Sequence, residues 1–85
     1  MTTANAMSIE LVKILEAAQA YKEESVNWFN LSNQYEDVDN KLADTYWKYS
    51  REAQCKCDAM LQAFEICTGY KVYHWEIEEV LLAEA

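Results

Sequence analysis

Proline is absent from the 85 residues, and glycine occurs once, at Gly69. These are the usual residues of tight turns and phosphate-cradling loops, so the chain has little from which to build either. A nucleophile elbow that presents a catalytic serine needs a sharp, strained turn, which a single-glycine chain does not supply. Histidine is also single, His74. A Ser-His-Asp triad around it therefore has no elbow to draw on, and a Cys67–His74 nucleophile–base pair has no evident oxyanion donor. One histidine denies a monomer the two Glu-x-x-His helices of a di-iron centre. The three cysteines are an odd number, which does not close a disulfide framework and points to a reducing, cytoplasmic environment. Cys55-Lys-Cys57 with Cys67 and His74 looks like a set of four metal ligands. On a helix, however, residues two apart lie about 200° apart around the axis, so Cys55 and Cys57 diverge. The expectation is core packing for Cys57 and Cys67, partial exposure for Cys55, and no catalytic residue, cofactor or metal: a non-enzymatic protein.

Basic residues are scarce too, seven against fifteen acidic, giving a net charge of −8. That balance repels nucleic acid and anionic membrane, and it suits a protein partner with a basic surface. The longest uncharged stretch, Ser25–Tyr35, carries Asn27, Asn30, Asn33 and Gln34 and is far short of the about 20 apolar residues that span a bilayer. Residues 1–7 read as a flexible leader without targeting character, and residues 8–85 as one domain.

What the chain has in quantity is helical patterning and aromatic bulk: three Trp, six Tyr and two Phe. A chain of this length hides only about 60–65% of its unfolded surface, and aromatic side chains that each bury roughly 150–250 Å² compensate for that. Ser8 can cap a first helix, with Glu10 beside its positive end. Leu11, Ile14, Leu15, Ala18, Tyr21, Val26, Trp28 and Phe29 mark its apolar face, predicting a helix over about 9–31. Asn30–Asn33 is the preferred turn, with Asn33 and Glu36 as a capping pair, and Asp37 or Asp39 competes as the start of the second helix. The second stripe is Tyr35, Val38, Leu42, Tyr46, Tyr49, Ala53, Cys57, Met60, Phe64 and Cys67, every step three or four. It predicts a rod of roughly 50 Å that Gly69 ends with a left-handed residue. Tyr46, Trp47 and Tyr49, and again Met60 to Ile66, spread apolar groups over about 160° of that helix, more than one neighbour can cover. The expected second neighbour is the C-terminal segment or another copy of the protein. Tyr70–Ile77 alternates like a strand, but no second strand candidate exists to pair with it. An extended link, residues 70–72, and a helix over about 73–84 are predicted instead.

Acidic residues cluster at Glu23-Glu24, at Glu36-Asp37 with Asp39, and at Glu76 with Glu78-Glu79. A magnesium-dependent all-α nucleotide pyrophosphohydrolase would use Glu-Glu-x-x-Glu, but Asn27 stands at the third place. From Lys41 to Asp58 the chain is nearly neutral, with acid on either side of it. In an antiparallel hairpin this predicts two acidic poles around an aromatic waist, with association through the waist and basic partners at the poles. Candidate partner-binding residues are therefore Glu23, Glu24, Glu36, Asp37, Asp39, Glu76, Glu78 and Glu79, together with Trp47, a residue type enriched in binding hot spots.

The segments Trp28-Phe-Asn-Leu-Ser-Asn33, and Tyr46 through Ala63-Phe64 to Thr68-Gly69-Tyr70, resemble stretches of small acidic helical proteins encoded by phages and mobile elements of bacteria, the anti-CRISPR-like accessory proteins. About a third of the chain is covered, and the resemblance transfers no functional residue. It implies a protein that binds and inhibits a host protein, some relatives imitating nucleic-acid charge. Lys41–Lys56 interrupts the acidic surface and departs from such imitation. The combined expectation is an all-α protein, a long antiparallel helical hairpin with a short third helix, dimerising along its second helix. It acts as a non-catalytic binding module. The alternatives are an oligomeric assembly subunit and the small nucleotide hydrolase.

Overall fold

Ser8 opens the first helix by accepting the Leu11 backbone N–H on its Oγ at 3.2 Å, which satisfies one of the donors a helix start leaves unpaired. A computed structural model describes residues 8–84, and there α1 runs Ile9–Tyr35, α2 Asn40–Thr68 and α3 Ile77–Glu84. The expected leader, residues 1–7, lies outside the described residues. All regular structure among the described residues is helical, as the absence of chain breakers and the three-to-four spacing predict. None of these helices is long and apolar enough to cross a membrane.

The turn falls later than Asn30–Asn33. α1 continues to Tyr35 because its final turns face α2: Ser32 is buried and its Oγ donates to the Ala43 carbonyl at 2.9 Å. That anchorage outweighs the weak preference of Asn33 for a cap. Residues 36–38 form the turn, Asp39 N–H donates to Tyr35 O at 2.8 Å, and Asp39 caps α2 by accepting the Leu42 N–H at 3.1 Å. The competing start is thus the real one, and α2, with 29 residues, is shorter than expected, about 44 Å at 1.5 Å per residue. It stops at Gly69, whose φ of 74° is the only positive value among the described residues and whose N–H bonds Glu65 O at 2.7 Å. A Cβ at Gly69 would meet no atom within 4 Å, so glycine is favoured there by its backbone angle and not by crowding.

The two long helices are antiparallel. Ser25 pairs with Ser50 and Ser32 with Ala43, so seven residues forward on α1 is seven back on α2. The result is a rod of 57 × 21 × 16 Å with a radius of gyration of 15.7 Å, against about 12 Å for a compact domain of this length. After Gly69 the chain has no regular structure through Tyr73, and Val72 of this link enters the core. The third helix starts at Ile77 and not near Tyr73. Residues 74–76 form a turn closed by Glu76 N–H to Tyr73 O at 2.8 Å, and the Glu76 carboxylate accepts the Tyr73 N–H at 2.9 Å. α3 packs on α1, not on α2. At this end, the base, Leu15, Ala18, Cys57, Leu61, Phe64, Val72 and Ile77 form the core, with Leu11, Ile14, Val80 and Leu81 against it.

Two parts of the predicted stripes lie outside that core. On α2, Val38 precedes the helix and is exposed, and Cys67 is exposed at its end, because α3 turns away to α1 and leaves that side of α2 open. On α1, Val26 and Phe29 sit near the edge of the hairpin and are about half exposed. The interior beside them is made by Ser25, Ser32, Ala43 and Ser50.

Candidate protein-binding site

The nine candidate partner-binding residues fall in three places. Glu36 and Asp37 are exposed in the tip turn, while Asp39 is exposed but already occupied in capping α2. Glu23 and Glu24 lie at mid-shaft and not at the tip, because the antiparallel register sets them level with Arg51 and Glu52. Glu24 accepts the Trp28 indole N–H at 3.4 Å and shares a shallow groove with Glu52 and Lys56. The waist is therefore neutral by local mixing of charges, with Lys22, Arg51 and Lys56 near Glu23, Glu24 and Glu52. Glu76, Glu78 and Glu79 gather at the base, the last two exposed in the first turn of α3, where carboxylates complement the positive helix end.

At the base the chain adds aromatic surface that sequence reasoning had assigned to helix packing. Trp75 is 62% exposed and stacks on Tyr73 at 4.8 Å, and His74 meets Trp75 edge-on at 4.8 Å. Of residues 73–77 only Ile77 is buried in the core, and Trp75 does not join it, since the turn at residues 74–76 directs the indole outward. The Lys71 ammonium stands 5.1 Å from the centre of the Tyr73 ring, so this aromatic surface already accepts a cation in cis. A groove of about 330 Å³ beside it is lined by Asp58, Glu65, Lys71, Tyr73 and His74 among others.

At the waist, Trp47 is 46% exposed with the Arg51 guanidinium 5.0 Å from its ring centre. Phe29, on α1, walls the same two grooves as Trp47. Sequence reasoning missed Phe29 and Val26 as surface residues because helical spacing placed them on the apolar face. The available signal was their position beside Ser25 and Ser32, small residues that let α2 approach and push larger neighbours to the edge. On the opposite side of the hairpin, Trp28 stacks on Tyr46 at 5.5 Å and meets Tyr49 edge-on at 5.1 Å, with Tyr35 5.7 Å from Tyr46.

The cysteines diverge as the helical geometry requires: Cys57 is buried, Cys55 and Cys67 are exposed. Burial pushes the Cys57 thiol pKa above its ordinary value, Asp58 adds to this and Lys22 opposes it. A thiol held neutral in this way is a poor nucleophile. Among the described residues no three of His, Cys, Asp and Glu converge on a point that could hold a metal ion. The grooves are open surface features rather than enclosed pockets, a form suited to side chains of another protein.

No protein-family model, no curated protein and no solved structure matches this chain.

Proposed function

We propose that this chain is a non-catalytic protein-binding module whose acidic base engages a partner with a basic surface. In line with its resemblance to small acidic helical proteins of phages and mobile elements, the partner would be a bacterial nucleic-acid-handling or defence protein, bound and inhibited in the cytoplasm. The observation that carries the reading is the conjunction at the base of exposed Glu78 and Glu79 with the exposed Tyr73–Trp75 stack. Arginine and lysine are bound by carboxylates through charge and by aromatic faces through cation–π attraction, and both lie here on one short segment. The tip acids Glu36 and Asp37 extend the same preference to the far end of the rod.

Capture from a bacterial lysate tests this. A stoichiometric basic partner is expected, released by raised salt because exposed charges are screened, and lost to the Glu78→Gln/Glu79→Gln variant. Recovery of no stoichiometric partner, or of one indifferent to both salt and that variant, overturns the reading. A second reading, an oligomeric assembly subunit, is favoured by the half-exposed Phe29–Trp47 face. Light scattering separates them: a mass that keeps growing with concentration beyond two copies supports assembly.

A further inference from the structure

The middle of the rod has a face that the acidic base does not explain. Two grooves between α1 and α2 meet there and share Phe29 and Trp47 as walls. Their floor includes the buried small residues Ser25, Ser32, Ala43 and Ser50, and Val26 flanks them. Val26, Phe29 and Trp47 are 48%, 47% and 46% exposed. α3 covers the base of the hairpin and does not extend over this half.

The charges around these rings are arranged with opposite signs on either side. Lys22 lies on α1 seven residues before Phe29, and Glu36, the C-cap residue whose φ of -55° and ψ of -42° continue the helical path past Tyr35, lies seven after; two turns separate each from the ring, so all three share one line. On α2, Asp44 precedes Trp47 by three residues and Arg51 follows by four, again on one side of the helix. Because the helices are antiparallel and Phe29 lies level with Trp47, both cations fall on the base side of the rings and both carboxylates on the tip side. A basic partner would meet Lys22 and Arg51 at one end of this face. A copy in parallel would oppose like charges. A copy in antiparallel orientation places Arg51 against Asp44 and Lys22 against Glu36, twice over.

We infer that the Phe29–Trp47 face is the docking surface for a second copy of this chain, packed face to face and antiparallel about a two-fold axis at the level of those rings. Such an interface is isologous: Phe29 and Trp47 meet their counterparts and each charged residue meets its complement. The small residues of the floor admit the facing rings, and the aromatic centre is rimmed by paired charges, the usual anatomy of a specific contact. The overlap between the two tips is about 27 Å long from the helical rise and about 20–24 Å wide for two helices side by side, roughly 600 Å² per copy, at the lower bound for stable specific interfaces.

Sedimentation equilibrium on the full chain and three exposed-site variants tests the inference. The wild type is expected to form a dimer that does not grow further. Arg51→Asp alone and Asp44→Arg alone each set like charges against one another and raise the dissociation constant by about tenfold or more. The double variant Asp44→Arg/Arg51→Asp restores the pairing and returns the constant to within about threefold of wild type. Circular dichroism melts confirm that each variant still folds. A strict monomer at about 1 mM chain, the weak limit for a specific contact, overturns the inference. So does a dimer indifferent to the single reversals or one that the double variant fails to restore. Glu78→Gln/Glu79→Gln leaves this dimer unchanged, which keeps its failure distinct from failure of the basic-partner reading.

Discussion

The base and the tip of the rod are held together by different physics. At the base, seven buried residues led by Leu15, Phe64 and Ile77 form a continuous apolar core that draws on both long helices, the link after Gly69 and α3. Toward the tip, the residues between the helices are Ser25, Ser32, Ala43 and Ser50. Ser50 Oγ donates to the Ser25 carbonyl at 2.8 Å and lies 3.2 Å from Ser25 Oγ, and Ser32 donates to Ala43 O. Hydroxyls and a methyl group occupy little space, so the helices close on one another and the large side chains are displaced to the two edges. One edge becomes the Trp28–Tyr46–Tyr49 cluster and the other the Phe29–Trp47 face. Burial stabilises the base, whereas the tip relies on short hydrogen bonds and edge aromatics. The part with the thinner interior is therefore the part with apolar surface left to offer.

The sharpest way to break this contrast is to remove Phe64. Phe64→Ala is expected to cost about 3–5 kcal/mol, read as a lower denaturant midpoint at unchanged slope. A cost similar to that of a tip substitution would mean that the base is no better packed than the tip. Ser50→Ala, in the thin serine-lined interior between mid-shaft and tip, should cost about 1 kcal/mol, the net worth of one hydrogen bond, because Ser25 Oγ can turn to its own helix. A loss as large as that of Phe64→Ala would make the serine pair the true anchor of the hairpin. The smallest effect is chemical: Cys55 and Cys67 should alkylate readily in the folded protein, while Cys57 reacts only on unfolding. The raised Cys57 pKa gives the pH dependence its sign. The folded state holds the thiol protonated, so its contribution is complete below the unfolded thiol range and declines as pH rises through and beyond it. Rapid labelling of all three thiols at neutral pH would contradict the buried placement of Cys57.

Much of this was legible in the residues. The lack of proline announced the long helices, Ser8 and Gly69 announced their ends, and the spacing of Leu11, Ile14, Leu15 and Ala18 announced the buried face of α1. The turn was not legible, because Asn33 and Asp39 are both competent caps and the choice was made by Ser32 reaching Ala43 across the hairpin. The start of α3 was obscured for a similar reason: the residues from Tyr73 onward suit a helix, but Val72 enters the core from the non-helical link and Glu76 closes a turn behind it. The serines escaped notice since a hydrophobic pattern scores them as polar, although Ser25 and Ser32, and Ala43 and Ser50, repeat every seven residues. Of the candidate site, the composition identified the acidic residues. Their grouping depended on register, which moved Glu23 and Glu24 to mid-shaft, and the outward turn of Trp75 depended on backbone hydrogen bonds that no periodicity reports.

The position of Ile77 has a consequence for the order in which the molecule can assemble during synthesis. Its side chain completes a core that includes Leu15, and all of the hairpin but the first turns of α1 lies between them in sequence. A nascent chain can zip the tip together as soon as α2 begins to emerge, since those contacts are close in sequence and fast to form. The base must wait for Ile77. Until then Leu15, Phe64 and their neighbours are uncovered, and the interval between the two events is the period in which this protein is most exposed to capture by chaperones or by its own kind.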